Sequence, residues 1–117
     1  MVKMFVYGTL LSGQGNNRFL TGSNLLGESS VKGFNMVSLG AFPACIPSDG
    51  DGVVFGEVWE VDKDTLSNID RLEGHPHFYH REVVQTDFGD AYMYIQDGRD
   101  KGDPIPGGSW LAYRRDR

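Results

Sequence analysis

The chain has 117 residues and a formal net charge of −5, enough for one hydrophobic core and too little for two of ordinary size, so a single domain over residues 1–117 is expected. The acidic balance argues against sequence-independent nucleic-acid binding, which needs a Lys/Arg excess to neutralise phosphates. A single cysteine, Cys45, excludes an intrachain disulfide and a multi-cysteine metal site. With no signal-like start and no apolar run of membrane-spanning length, a soluble protein of the reducing cytoplasm is expected, without a membrane partner.

Residues 2–7 are apolar, β-branched and aromatic and stop at Gly8, which reads as a strand carrying Gly8-Thr9-Leu10 at its tip. Residues 13–26 interleave Gly, Asn and Ser with Phe19, Leu20, Leu25 and Leu26, a loop with at most one short helix. Residues 28–39 alternate loosely, and residues 53–61 form the clearest strand pattern in the chain. Between them lie Phe42-Pro43-Ala44, a rigid apolar turn, and Asp49-Gly50-Asp51-Gly52. The Asp-Gly pairs between strand-like flanks suit a tight hairpin; a calcium loop would need a later bidentate glutamate. Residues 62–72 place Leu66, Ile69 and Leu72 on one face, begin with capping acids and end at Gly74, an amphipathic helix of two to three turns. Two further strands, 82–86 and 90–95, are joined at Phe88-Gly89-Asp90, and a Gly/Pro loop, 102–108, precedes Trp110. Strands dominate without the regular alternation of a doubly wound sheet, which gives an α+β class with a curled or barrel-like sheet.

Glu73 is the outstanding candidate for a chemical group, because it sits between the helix and its stop at Gly74, ahead of an aromatic-rich loop. A carboxylate at a helix C-terminus feels the negative end of the macrodipole, which raises its pKa towards a working pH and suits a general base. An isolated glutamate there is ordinarily a solvated surface residue, so its company decides. His75, His77 and His80 crowd one segment, but Pro76 stiffens it and no helix would converge the rings, so no metal site is expected. An imidazolium near Glu73 would lower the pKa of that carboxylate. Cys45, flanked by Ala44 and Ile46 without a basic neighbour, reads as a buried structural thiol. Trp59 reads as core, and Tyr92 and Tyr94, which share one face of their strand, as packing.

Taken in order, Tyr7-Gly8-Thr9-Leu10, Gly13-Gln14-Gly15-Asn16-Asn17, Phe42-Pro43-Ala44, Gly56-Glu57-Val58-Trp59 and Asp70-Arg71-Leu72-Glu73-Gly74 with Tyr79 and Arg81 form a series that resembles the γ-glutamylcyclotransferase-like family. The likeness is closest to its branch of γ-glutamylamine cyclotransferase and AIG2-like proteins, and it spans nearly the whole chain. It implies a small mixed β-barrel with one or two short flanking helices and a pocket beside the barrel. It implies Glu73 as the catalytic acid/base and a substrate site formed by Tyr7, Gly8, Thr9 and Leu10 with Phe42, Pro43 and Tyr79; Arg81 supports the loop that holds Glu73. The implied reaction is intramolecular: the α-amine of a γ-glutamyl group attacks its own side-chain amide carbonyl, giving 5-oxoproline and a free amine, with no cofactor and no metal. After the first tetrapeptide, where many relatives carry one or two basic residues, this chain has Leu11-Ser12, which bears on the leaving-group side, as does the loop 98–108. The other readings are a non-catalytic module that holds a small metabolite in the same pocket, and a metal-dependent enzyme built on the three histidines.

Overall fold

The structure is a computed structural model in which residues 1–98 and 102–116 are described. Residues 99–101 of the loop expected to border the leaving group, and Arg117, lie outside the described residues. The fold is mixed α+β. Eight strands form two sheets, a large one in the order β2(Asn24–Lys32)–β5(Val53–Val61)–β1(Val2–Val6)–β7(Gly89–Ile95)–β6(His80–Thr86) and a small one in the order β4(Pro43–Pro47)–β3(Phe34–Ser38)–β8(Asp103–Ile105). A short 3₁₀ turn, Asn17–Leu20, precedes β2; helix α1, Lys63–Glu73, follows β5; helix α2, Trp110–Arg115, closes the described chain.

β1 is central, antiparallel to β5 and parallel to β7. Its alternation explains the architecture, because successive side chains point to opposite faces of a sheet. Phe5 and the following Tyr7 enter a core shared with Met36, Cys45 and Ile105 of the small sheet and with Trp110 of α2. Met4 and Val6 enter a second core with Trp59, with Leu20 of the 3₁₀ turn and with Ile69 of α1. The large sheet is therefore covered on both faces, by the small sheet and α2 on one side and by α1 on the other. Trp59 is core, as expected, and Cys45 is a buried thiol whose pKa burial pushes up.

The expected barrel is not closed by hydrogen-bonded strands. Among the described residues no ladder joins β2 to β6 or the large sheet to the small one. The two outer edges of the large sheet meet through side chains instead. Asp87 N donates to Ser29 Oγ at 2.9 Å, Ser29 Oγ donates to Asp87 Oδ2 at 3.1 Å, and the Phe88 ring lies against the backbone of Gly27. The turn Asp49-Gly50-Asp51-Gly52 also differs from expectation. It joins β4 of the small sheet to β5 of the large one, so its flanking strands are not hairpin partners. Local turn chemistry is the same for either outcome, and only the partners that bury β5 distinguish them.

The segment 28–39 resolves into β2 and β3, separated at Gly33. β8 lies in the expected Gly/Pro loop and pairs with β3 as an edge strand, the place where a proline such as Pro104 costs no ladder bond on its solvent side. None of the described helices is long and apolar enough to cross a membrane.

The two sheets are held together at the tip of β1, where Gly8 meets Pro43 of β4. A Cβ on residue 8 would lie 2.7 Å from Pro43 Cγ, closer than real carbon atoms approach. Gly8→Ala is expected to destabilise the fold by about 1–3 kcal/mol through this overpacking, measured as a lower denaturation midpoint at unchanged slope.

Candidate active site

Glu73 is the last residue of α1, and local rules explain why the helix ends there. Asp62 caps the start, its Oδ1 accepting from Thr65 N at 2.8 Å. At the other end Gly74 adopts φ 68°, with Gly74 N donating to Arg71 O and His75 N to Asp70 O, a left-handed termination that an L side chain resists. The chain then curls back on the same residues: Phe78 N donates to Gly74 O at 2.9 Å and Tyr79 N to Glu73 O at 3.2 Å. The aromatic loop is thus hydrogen-bonded to the backbone of the candidate catalytic residue.

α1 is fastened to the sheet by Asp70, one turn before Glu73. Arg81 Nε donates to Asp70 Oδ1 at 2.7 Å and a second guanidinium nitrogen to Oδ2 at 3.0 Å, while Tyr94 OH donates to Oδ1 at 2.5 Å. The guanidinium of Arg81 also lies over the Tyr92 ring, 4.7 Å from its centroid. Burial pushes the Asp70 carboxyl up, but the hydrogen bonds from Arg81 and Tyr94 and the charge of Arg81 outweigh it, leaving its pKa below the usual carboxylate value. Arg81 is a supporting residue, as expected, bridging α1 and strands β6 and β7.

A cavity of about 240 Å³ opens at the tip of β1. Tyr7, Gly8, Thr9 and Leu10 line it from one side, Phe42 and Pro43 from the small sheet, and Glu73 and Tyr79 from α1 and its following loop. The structure therefore gathers every residue singled out from the sequence for this site. It adds Asn16, Leu72, Phe78 and Tyr94, together with Phe5 and Val6 of β1. Asn16 was legible only within the motif Gly13–Asn17. Tyr94 was expected to pack; strand alternation indicates which face it occupies but not that this face borders a cavity.

Within the cavity Glu73 is the one ionisable carboxyl, and burial raises its pKa from 4.5 to about 7. The direction agrees with the helix-end expectation; the cause is desolvation. Among the described residues no ion pair engages Glu73, and no histidine contributes to its shift. The tyrosine hydroxyls are already engaged: Tyr7 OH donates to Tyr94 O at 2.7 Å and accepts from Cys45 N, and Tyr79 OH donates to Pro43 O at 2.7 Å.

The strand-tip loop is held open by its own acceptors. Leu11 N donates to Gly8 O, Asn16 N to Thr9 O and Asn17 Nδ2 to Leu10 O, and Asn16 Nδ2 donates to Thr9 Oγ1. Ser12 donates through both N and Oγ to Glu57 Oε1, which also accepts from Trp59 Nε1. This ties the Gly56-Glu57-Val58-Trp59 motif to the loop. The N–H groups of Gly8, Thr9 and Leu10, by contrast, have no acceptor among the described residues.

The three histidines separate. His75 Nδ1 accepts from Arg81 N and its ring meets Tyr94 edge-on, His80 faces Glu82 and Asp97, and His77 is exposed. Among the described residues no three His, Cys, Asp or Glu side chains are grouped as metal ligands.

The family model for γ-glutamyl cyclotransferase, AIG2-like, matches residues 4–112. The chain belongs to that family. It is 39% identical over 111 residues to the γ-glutamylcyclotransferase family protein YtfP of Escherichia coli K12, covering 94% of this chain and 96% of that one. The crystal structure of the uncharacterized protein PH0828 from Pyrococcus horikoshii superposes with a TM-score of 0.87 at 30% identity, covering 99% and 95% of the two chains. An AIG2-like protein from mouse superposes at 0.74 and 27% identity, covering 82% of this chain and 77% of its own.

Asp70→Asn removes a charge from a partly buried pair, leaves Arg81 uncompensated and is expected to cost about 2–3 kcal/mol at pH 7, below the range for fully buried pairs because both side chains keep some solvent contact. The folded-state pKa of Asp70 is depressed, so its contribution is present above the unfolded value of 3.8 and lost as pH falls through the folded one. The gap between wild type and variant should therefore close below pH 4 in urea titrations.

Proposed function

We propose that the protein is a γ-glutamyl cyclotransferase with Glu73 as its general acid/base and a small-molecule γ-glutamyl amide as its substrate. The observation that carries this reading is the meeting, in one cavity, of an unpaired carboxyl with a pKa of about 7 and a loop whose backbone N–H groups lack acceptors. Membership of the family supports the reaction class.

In this reading Glu73 as carboxylate takes a proton from the substrate α-ammonium, freeing a lone pair for attack. The α-nitrogen bonds to the γ-carbonyl carbon and the carbonyl electron pair moves to oxygen, facing the donors of Gly8, Thr9 and Leu10. The intermediate collapses, the amide C–N bond breaks, and protonated Glu73 gives its proton to the departing nitrogen. Glu73 then recovers a proton from the ring nitrogen and returns it to water, where the released amine becomes an ammonium ion. The products are 5-oxoproline and that ammonium, with no net redox change. Nucleophile and electrophile share one molecule, so the chain has only to hold the reactive rotamer and move protons. A pKa near 7 suits both directions of transfer, because both protonation states of Glu73 are populated at neutral pH.

Glu73→Gln should lower kcat for 5-oxoproline release by about 10²–10⁴-fold, with circular dichroism unchanged; retention of wild-type turnover would refute the assignment. Tight substrate binding with no product from wild type would indicate the binding module instead. The pH profile of wild type should rise about tenfold per unit below pH 7 and level above it, as the base form fills.

Burial of Glu73 also predicts a stability effect of opposite sign to that of Asp70. Its folded-state pKa lies above the unfolded value of 4.5, so the folded chain holds the extra proton between pH 4.5 and about 7, and stability falls as pH rises through that window. Glu73→Gln should therefore be the more stable protein at pH 8, by about 1–2 kcal/mol, discounted because the residue keeps part of its surface in solvent. Thermal melts of both proteins at pH 5 and pH 8 measure this.

A further inference from the structure

We infer that the leaving group is an uncharged, apolar amine, aromatic or branched next to the nitrogen, and that Phe78 is the residue that selects it. This rests on the cyclotransferase reading and names the substrate class of the same site.

The cavity contains no basic side chain among the described residues, and its one ionisable carboxyl is Glu73. A γ-glutamyl amino acid carries a second carboxylate on its leaving group, close to the scissile nitrogen. Burying that charge without a cation is costly, and the negative charge of ionised Glu73 adds repulsion of the same sign. The free backbone donors of Gly8, Thr9 and Leu10 are matched to the γ-glutamyl half and the developing oxyanion, which leaves none of those three for a second carboxylate.

The opposite wall is aromatic. Phe42, Phe78 and Tyr79 form one continuous cluster, with Phe78 and Tyr79 edge-to-face at 5.0 Å, Phe42 and Phe78 at 5.9 Å, and Phe42 and Tyr79 at 6.5 Å between centroids. Phe78 lines the cavity yet is 47% exposed, and Leu72 beside it is 36% exposed. These two form the mouth, the direction in which a departing amine leaves. Phe78 N is bonded to Gly74 O and Tyr79 N to Glu73 O, so the aromatic wall moves with the acid that protonates the departing nitrogen. An apolar substituent on that nitrogen would cover the exposed Phe78 face, contributing in proportion to the area removed from water.

The test measures 5-oxoproline release from γ-glutamylbenzylamine, γ-glutamylmethylamine, γ-glutamylglycine and γ-glutamyl-ε-lysine. Wild type should use the benzylamine conjugate with kcat/KM at least tenfold above the glycine and lysine conjugates. Phe78→Ala should cut the benzyl-to-methyl preference by about tenfold or more, the range for an apolar contact in a pocket, and Phe78→Leu should restore part of it; melting temperatures check that both variants fold. Equal or better use of γ-glutamylglycine, or an unchanged benzyl-to-methyl ratio in Phe78→Ala, would overturn the inference while leaving the cyclotransferase reading intact. Absence of 5-oxoproline from all four conjugates would overturn both.

Discussion

The bidentate pair between Asp70 and Arg81 is the constraint on which the site depends. One turn of helix separates Asp70 from Glu73, so fixing the first fixes the second. Tyr94 takes the same carboxylate oxygen as Arg81 Nε, and its own carbonyl accepts from Tyr7. A single connected set of hydrogen bonds therefore runs from α1 through β7 to the tip of β1, the two places that face each other across the cavity. Arg81 adds the flat face of Tyr92 as a further support. The geometry is redundant in the way that a preorganised site requires, since a carboxyl held by side-chain packing alone would sample several rotamers.

Asp70 and Glu73 sit three residues apart on one short helix and titrate in opposite directions. Asp70 is partly buried with a cation and a phenol donor, which holds it ionised; Glu73 is partly buried without either, which holds it near the neutral form at the same pH. Burial is common to both, and the presence or absence of a partner decides the sign. The unpaired member is the less favourable arrangement for stability, and it is the one that lies in the cavity. Such a division between a structural carboxylate and a reactive one is what a fold must provide if a single residue type is to serve both purposes.

The two cores also explain why the cavity lies where it does. β1 is buried on both faces along its length and loses its cover only beyond Val6, where the chain leaves the sheet as Tyr7-Gly8-Thr9-Leu10. The small sheet reaches the same point through Pro43, packed on Gly8 without room for a side chain. α1 and its loop close the third side. Donors that would have continued a ladder are thereby left without acceptors, at a position enclosed by apolar walls.

Much of this was legible in residue order. The helix 62–72, the strand 53–61 and the tip at Gly8 follow from periodicity, capping and turn chemistry, which are local properties of a chain, and the motif series pointed to Glu73 and to the residues that line its cavity. β8 and the role of Asp49-Gly50-Asp51-Gly52 were not legible, because proline and glycine signal a turn equally well whether the strands beside it pair with each other or with distant partners. The same limit applies to Tyr94 and Phe78, whose spacing places them on a strand face and in a loop but cannot say what those surfaces meet. The cause of the Glu73 shift is likewise tertiary: a helix end is a local feature, whereas desolvation depends on β1, Phe42, Pro43 and Tyr79 arriving from far along the chain. What the sequence determined by itself was the chemical inventory and its local geometry; the cavity, the absence of a partner for Glu73 and the aromatic mouth were decided by which distant surfaces pack together.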